Sequence, residues 1–173
     1  MSEPLNIHPI MVHFPVALLT IYSLLELIRF KKLMEKPYWF YIKAAFSIVG
    51  AGAGYLTIGS GLLIYSSFAK GGLTKLVDTH KNFAETTVAL FTLIGASYAV
   101  AWINKDATAN FKQNPFWQFL SKISEFVLTP GVIIILALLG LLLVTITGSL
   151  GGAIAFGPDL DPAVHFFYHL LIK

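Results

Sequence analysis

The five histidines are the side chains of this sequence best suited to catalysis or metal binding, because an imidazole can bind a metal ion or transfer a proton near neutral pH. They lie in three groups along the chain: His8 and His13, then His80, then His165 and His169. The chain has no cysteine, which excludes disulfide bonds, thiolate catalysis and cysteine-ligated zinc or iron–sulfur centres. The histidines are therefore the candidate site residues.

His13 lies about one turn inside the first apolar segment, where an ionisable ring is poorly hydrated. Polar groups at this depth usually face other helices and find a partner there. Pro15 removes a backbone donor and crowds the carbonyl of Met11, so we expect a local kink and a carbonyl that needs another partner. His13 could be a functional ligand, or it could only fix the fold through a hydrogen bond to a neighbouring helix.

The spacing of His165 and His169 predicts two imidazoles on one side of a helix, as in helices that bind zinc. His8 could be the third metal ligand if the C-terminal tail folds back onto the start of the chain. The alternative is a polar stripe on an amphipathic helix whose other face is apolar.

His80 precedes the third apolar segment, and Glu85 follows five residues later among apolar and hydroxyl side chains. A carboxylate is costly there unless it is paired or hydrated. Glu85 could support a proton relay with His80, or it could form a hydrogen bond with His13 or with a tyrosine or threonine of another helix.

The elements that position these residues are membrane-spanning helices. The chain is 56% hydrophobic and 12% charged, with a mean hydropathy of +0.74, which a water-soluble domain of 173 residues could not bury. A bilayer core about 30 Å thick needs roughly 20 apolar residues in a helix. Four segments qualify, and together they predict a single all-α domain, an integral membrane four-helix bundle: residues 9–28, 38–65, 83–102 and 130–156.

Two shorter helices complete the prediction. Asn114 and Pro115 are typical of a helix start, and an amphipathic pattern over residues 115–128 predicts an interfacial helix before the fourth span. Asp161 as N-cap and Pro162 as first helical residue predict a short amphipathic helix over residues 162–173.

Lysine and arginine positions predict the orientation. Eight of the twelve lysines and arginines lie on the side of the loops after the first and third spans, and four lie on the opposite side. The eight include Lys43, which is close enough to the start of its span to extend towards water. We therefore expect the eight to face the cytoplasm and both termini to lie outside. This topology places all five histidines at one membrane face.

Glycines at a spacing of four recur in two spans, Gly50 with Gly54 and Gly148 with Gly152. Such pairs let helices approach closely. We expect both pairs to lie in helix contacts.

The segment His8-Pro9-Ile10-Met11-Val12-His13-Phe14-Pro15 resembles the signature of the predicted membrane proteins called domain of unknown function 2231. The resemblance extends over four spans, with His80 at the head of the third and Gly151-Gly152 ending the fourth. Because that family is bacterial and archaeal, the resemblance implies a bacterial or archaeal cytoplasmic membrane as the location. Where that family often continues with a histidine, this chain has none until His165.

The resemblance implies a four-helix architecture and, because family members occur with Rieske or cytochrome c modules, electron transfer or a b-type haem. A haem needs two histidines from different helices at similar depth. His13 and His80 are the pair on separate spans that could meet this requirement.

Three functions remain open. The first is a membrane electron-transfer component with haem b between His13 and His80, and a redox protein as partner. The second is a structural or accessory subunit of a larger membrane complex. The third is a divalent-metal or proton carrier. No hydrolase, kinase, nucleotide-binding or nucleic-acid-binding pattern is present, so we expect no enzyme activity from the chain alone.

Overall fold

The computed structural model describes residues 7–106 and 110–173, and all regular structure in these ranges is helical. Four long helices are apolar enough to cross a membrane: α1 (His8–Leu27), α3 (Pro37–Phe68), α4 (Thr74–Asp106) and α6 (Pro130–Phe156). Three shorter helices join or follow them: α2 (Lys31–Met34), α5 (Pro115–Val127) and α7 (Pro162–Leu171). The predicted all-α membrane bundle is confirmed.

The outside of the bundle is apolar, as expected of a surface that meets lipid. Leu63 on α3 is 82% exposed, and leucines 138, 139 and 142 form an exposed row on α6. Several of the buried side chains are polar instead, among them Ser23, Ser47 and Glu26. An apolar exterior with polar groups among the buried side chains is expected in a membrane, because polar groups must find their partners inside the bundle.

The four long helices form a square in cross-section. α1 packs against α3 and α6, and α4 packs against the same two helices, so α1 and α4 occupy opposite corners. The middle of the bundle is filled by large side chains, chiefly Leu19, Tyr22, Phe91 and Ile94. Phe91 fits here because Gly140 has no side chain: a Cβ at that position would lie 2.5 Å from Cζ of the phenylalanine ring.

The third spanning helix begins at Thr74, where the sequence predicted a start near residue 83. The polar residues before 83 do not end the helix, because their side chains have partners. Asp78 accepts a hydrogen bond from the Tyr65 hydroxyl, and Thr79 donates to the carbonyl of Lys75 at 2.8 Å. His80 therefore lies well inside α4 rather than ahead of it.

The two short helices that the sequence predicts, α5 and α7, begin at the predicted residues. The Asn114 side chain accepts a hydrogen bond from the backbone N–H of Phe116 at the start of α5. The Asp161 carboxylate accepts from the N–H groups of Ala163 and Val164 at the start of α7. These caps satisfy backbone donors that have no partner within the helix.

The two glycine pairs differ. Gly50 and Gly54 are in close contact with Leu19 of α1 and Val88 of α4, as expected of a helix interface. Gly152 contacts Val164 of α7, but nothing lies within 4 Å of a Cβ placed at Gly148. The prediction of a helix contact at Gly148 is therefore wrong: this residue is exposed in the bundle.

Candidate functional site

His8 begins α1 and extends across to α3 at one end of the bundle, which we call the histidine end. Its Nδ1 atom lies 2.9 Å from the Ser60 hydroxyl oxygen. That hydroxyl donates to the carbonyl of Thr57 at 2.8 Å, so its oxygen accepts the hydrogen on Nδ1. In a neutral ring this tautomer leaves the lone pair on Nε2, which is one of the two ring nitrogens that can bind a metal.

His80 likewise contacts a neighbouring helix through Nδ1, at the corner of the bundle opposite α1. It extends from α4 to α6, where its Nδ1 lies 3.1 Å from the carbonyl oxygen of Thr147. A carbonyl can only accept, so Nδ1 carries the hydrogen and Nε2 the lone pair. Thr147 is itself held by a 3.1 Å hydrogen bond between its hydroxyl and that of Thr87.

The two rings lie at the same end of the bundle, on the diagonally opposite helices α1 and α4. Each ring lies against a glycine. A Cβ at Gly61 would be 3.0 Å from His8, and one at Gly151 would be 3.2 Å from His80. The glycines therefore make room for both imidazoles.

His13 is placed differently from the prediction. Its side chain is exposed on the surface of α1, and its Nδ1 donates to the carbonyl of Pro9 in the same helix at 2.6 Å. His80 therefore shares the histidine end with His8, whose ring is turned into the bundle, whereas the outward-turned ring of His13 has a contact within its own helix. The Met11 carbonyl, which the sequence predicts to need another partner, lies 3.2 Å from the Thr57 hydroxyl of α3. That hydroxyl shares its one hydrogen with the carbonyl of Ala53, at 3.0 Å.

Glu85 also faces outward. Its carboxylate is exposed and lies 3.7 Å from the ammonium group of Lys81, one helical turn earlier. The charge is thus paired on the surface of α4. Among the described residues, no hydrogen bond joins the Glu85 carboxylate to another helix.

The opposite end of the bundle, which we call the glutamate end, holds a buried charge network that the sequence analysis missed. Glu26 of α1 is 1% exposed. Its Oε1 lies 2.9 Å from Nζ of Lys43 and 3.2 Å from the Arg29 guanidinium. Its Oε2 accepts hydrogen bonds from the hydroxyls of Tyr98 at 2.6 Å and Tyr22 at 3.3 Å.

The position of Lys43 near the start of its span predicts a side chain that extends towards water, and this prediction is wrong. The side chain is turned into the bundle, where it meets the carboxylate. The signal that could have found this network is in the sequence: Glu26 is the one acidic residue of the apolar first span, and Lys43 the one basic residue of the second. Opposite charges at the same end of adjacent spans are expected to pair.

An open cavity of about 310 Å³ adjoins this network. Glu26, Lys43 and Tyr98 line it together with Lys105 and apolar side chains such as Phe40. The cavity reaches α5, which is bound to α4 by a 2.7 Å hydrogen bond from the Ser124 hydroxyl to the carbonyl of Ser97.

The C-terminal histidines lie together, as predicted, with ring centroids 4.3 Å apart. The third potential ligand beside them is the carboxylate of Asp159, which lies 2.9 Å from Nδ1 of His165. His8, the predicted third ligand, is not part of this group: its ring lies against α3, where Nδ1 contacts Ser60.

Comparison with known proteins gives the family of the chain and no individual relative. The family model described as "Predicted membrane protein (DUF2231)" matches residues 4–160, which include all four spanning helices but not α7. A search of curated proteins and one of solved structures found no significant match. The match over most of the chain agrees with the four apolar helices, and the protein belongs to the predicted membrane protein family called domain of unknown function 2231.

Proposed function

We propose that the protein is a membrane electron-transfer component in which His8 and His80 would hold a b-type haem at the histidine end of the bundle. The observation that carries this proposal is the pair of imidazoles on diagonally opposite helices at one end. In both rings the hydrogen is on Nδ1 and the lone pair on Nε2.

The donor set fits haem better than it fits a bare metal ion. A zinc site needs three or four protein ligands, whereas a haem brings four nitrogen ligands of its own and needs only two axial imidazoles. Haem in such a site supplies one-electron redox chemistry. The alternative pair of His13 and His80 is less suitable because the His13 ring faces away from the bundle.

The residues around the two rings have a defined role in this proposal. Ser60 and Thr147 fix the tautomer and the rotation of the imidazoles, as second-layer partners of metal-bound histidines generally do. Gly61 and Gly151 let the two imidazoles pack directly against the neighbouring helices. The lysine distribution would place this end at the outer face of a bacterial or archaeal cytoplasmic membrane, within reach of a soluble redox partner.

The test is an optical spectrum of the detergent-purified protein, oxidised and reduced, after expression with ample haem. We expect a Soret band, and in the reduced protein the sharp visible bands of a six-coordinate haem. The variants His8→Ala and His80→Ala should each lose the six-coordinate spectrum.

His13→Ala is the matched control, because it removes an imidazole from the same helix as His8 and should leave the spectrum unchanged. A protein that takes up no haem overturns the proposed function. A spectrum that depends on His13 and not on His8 overturns the proposed pair of ligands.

A second candidate, an accessory subunit of a larger membrane complex, is favoured by the outer face of α3. Gly52 and Gly59 lie two turns apart on this face, and nothing lies within 4 Å of a Cβ at either position. Glycine weakens a helix, and small residues are characteristic of helix–helix contacts in membranes. Replacing both glycines by leucine should displace a partner from the purified complex without changing the haem spectrum.

A further inference from the structure

The tail of the chain brings together three metal-binding side chains outside the spanning helices. One nitrogen from each of His165 and His169 and one carboxylate oxygen of Asp159 all lie within 4.8 Å of one another. The two histidines are four residues apart on α7, so their rings leave the same side of the helix. Asp159 lies in the segment between α6 and α7.

The backbone holds these three groups in place. Gly157 has a φ of +94°, a conformation that other residues rarely adopt, and it turns the chain sharply after α6. α7 is then fixed at both ends. Val164 is buried against Gly152 of α6, and Lys75 of α4 donates a hydrogen bond to the carbonyl of Ile172.

We infer that Asp159, His165 and His169 form a binding site for a divalent transition-metal ion of the zinc type. Two imidazoles and one carboxylate are a common ligand set for such ions and leave a fourth position for water or another ligand. Metal binding replaces the hydrogen bond between Asp159 and His165. If Nδ1 is the ligand atom, a neutral ring carries its hydrogen on Nε2 instead, and a doubly protonated ring releases one proton.

The alternative is a surface ion pair between Asp159 and His165. It accounts for two of the three groups, and such exposed pairs contribute little free energy. It does not involve His169, whose ring centroid lies 4.3 Å from that of His165. A shared metal ion makes use of all three.

The site is independent of the proposed haem. It uses none of the same residues, and two of its three ligands follow residue 160, where the family match ends. When occupied, it ties the segment after α6 to α7 and so stabilises the docking of the tail on the bundle.

The experiment is a calorimetric titration of Zn²⁺ into the full-length, tag-free protein in detergent, after dialysis against a chelator. We expect one high-affinity ion per chain. His165→Ala and His169→Ala should each weaken binding at least about a hundredfold, and Asp159→Asn about tenfold. Co²⁺ at the same site should give the visible absorption of a low-symmetry, nitrogen- and oxygen-ligated ion.

His13→Ala is the control for exposed histidines, and His8→Ala tests the other candidate third ligand; both should bind Zn²⁺ as the unchanged protein does. An unchanged protein that binds no Zn²⁺ at micromolar concentration overturns the inference. So does a His165→Ala/His169→Ala double variant that binds as tightly as the original.

Discussion

The ammonium group of Lys43 lies 2.9 Å from the carboxylate of Glu26, and both side chains are buried at the glutamate end of the bundle. Two charges in such a place are stable only together, because each would be strongly destabilising in a low-dielectric interior without the other. The pair joins α1 to α3, and Tyr98 joins the same carboxylate to α4. Glu26 thus connects three of the four spanning helices.

We predict that Lys43→Met lowers the free energy of unfolding by about 3 kcal/mol, because it leaves a buried carboxylate without its nearest cation. The double variant Glu26→Gln/Lys43→Met should recover most of this loss, since it removes both charges. Unfolding by SDS in mixed micelles, followed by far-UV circular dichroism, measures both values.

The matched control is the exposed pair of Lys81 and Glu85, 3.7 Å apart on α4. Lys81→Met should change the free energy of unfolding by about 0.5 kcal/mol or less, because an exposed pair is screened by solvent. Equal losses for Lys43→Met and Lys81→Met would show that the buried network does not hold the helices together.

Removing one hydroxyl from the network should also be costly. Tyr98→Phe deletes a 2.6 Å hydrogen bond to the buried carboxylate, and we expect a loss of about 2 kcal/mol in the same unfolding experiment. Tyr38→Phe is the comparison, because Tyr38 is 53% exposed at the start of α3. If the two variants were equally stable, the hydrogen bond from Tyr98 would contribute nothing.

Gly140→Ala should destabilise the bundle by about 2 kcal/mol, as overpacking of a filled core generally does. The new methyl group would lie 2.5 Å from Cζ of Phe91, so this fully buried ring would have to shift within a filled core. Gly148→Ala adds the same group to the same helix in open space. It should be neutral or stabilising by up to about 1 kcal/mol, because alanine favours the helix. A Gly140→Ala variant as stable as Gly148→Ala would contradict the packing described here.

The orientation of the bundle can be tested by cysteine labelling, because the chain has no cysteine of its own. Lys173→Cys should react with a membrane-impermeant maleimide in intact cells, since the lysine distribution predicts the C-terminus outside. Lys31→Cys, at the opposite end of the bundle, should react only after the cells are permeabilised. The reverse pattern would place the histidine end at the inner face.

The sequence by itself determined the features that depend on local pattern. Apolar length predicts four spanning helices, and Asn114 and Asp161 mark the starts of α5 and α7, as the structure confirms. Pro15 correctly predicts that the Met11 carbonyl needs a partner from elsewhere. These results follow from helix geometry and bilayer thickness, which act on neighbouring residues.

The tertiary structure alone decided which side chains meet. Glu26 and Tyr98 are 72 residues apart in sequence, and His80 and Thr147 are 67 apart. These contacts depend on the rotation of each helix about its axis. Leucine packs equally well against lipid and inside the bundle. The hydrophobic pattern of a membrane helix therefore does not predict how the helix is rotated about its axis. For this reason the sequence favoured His13, whereas packing turned the His13 ring outward and the His8 ring into the bundle.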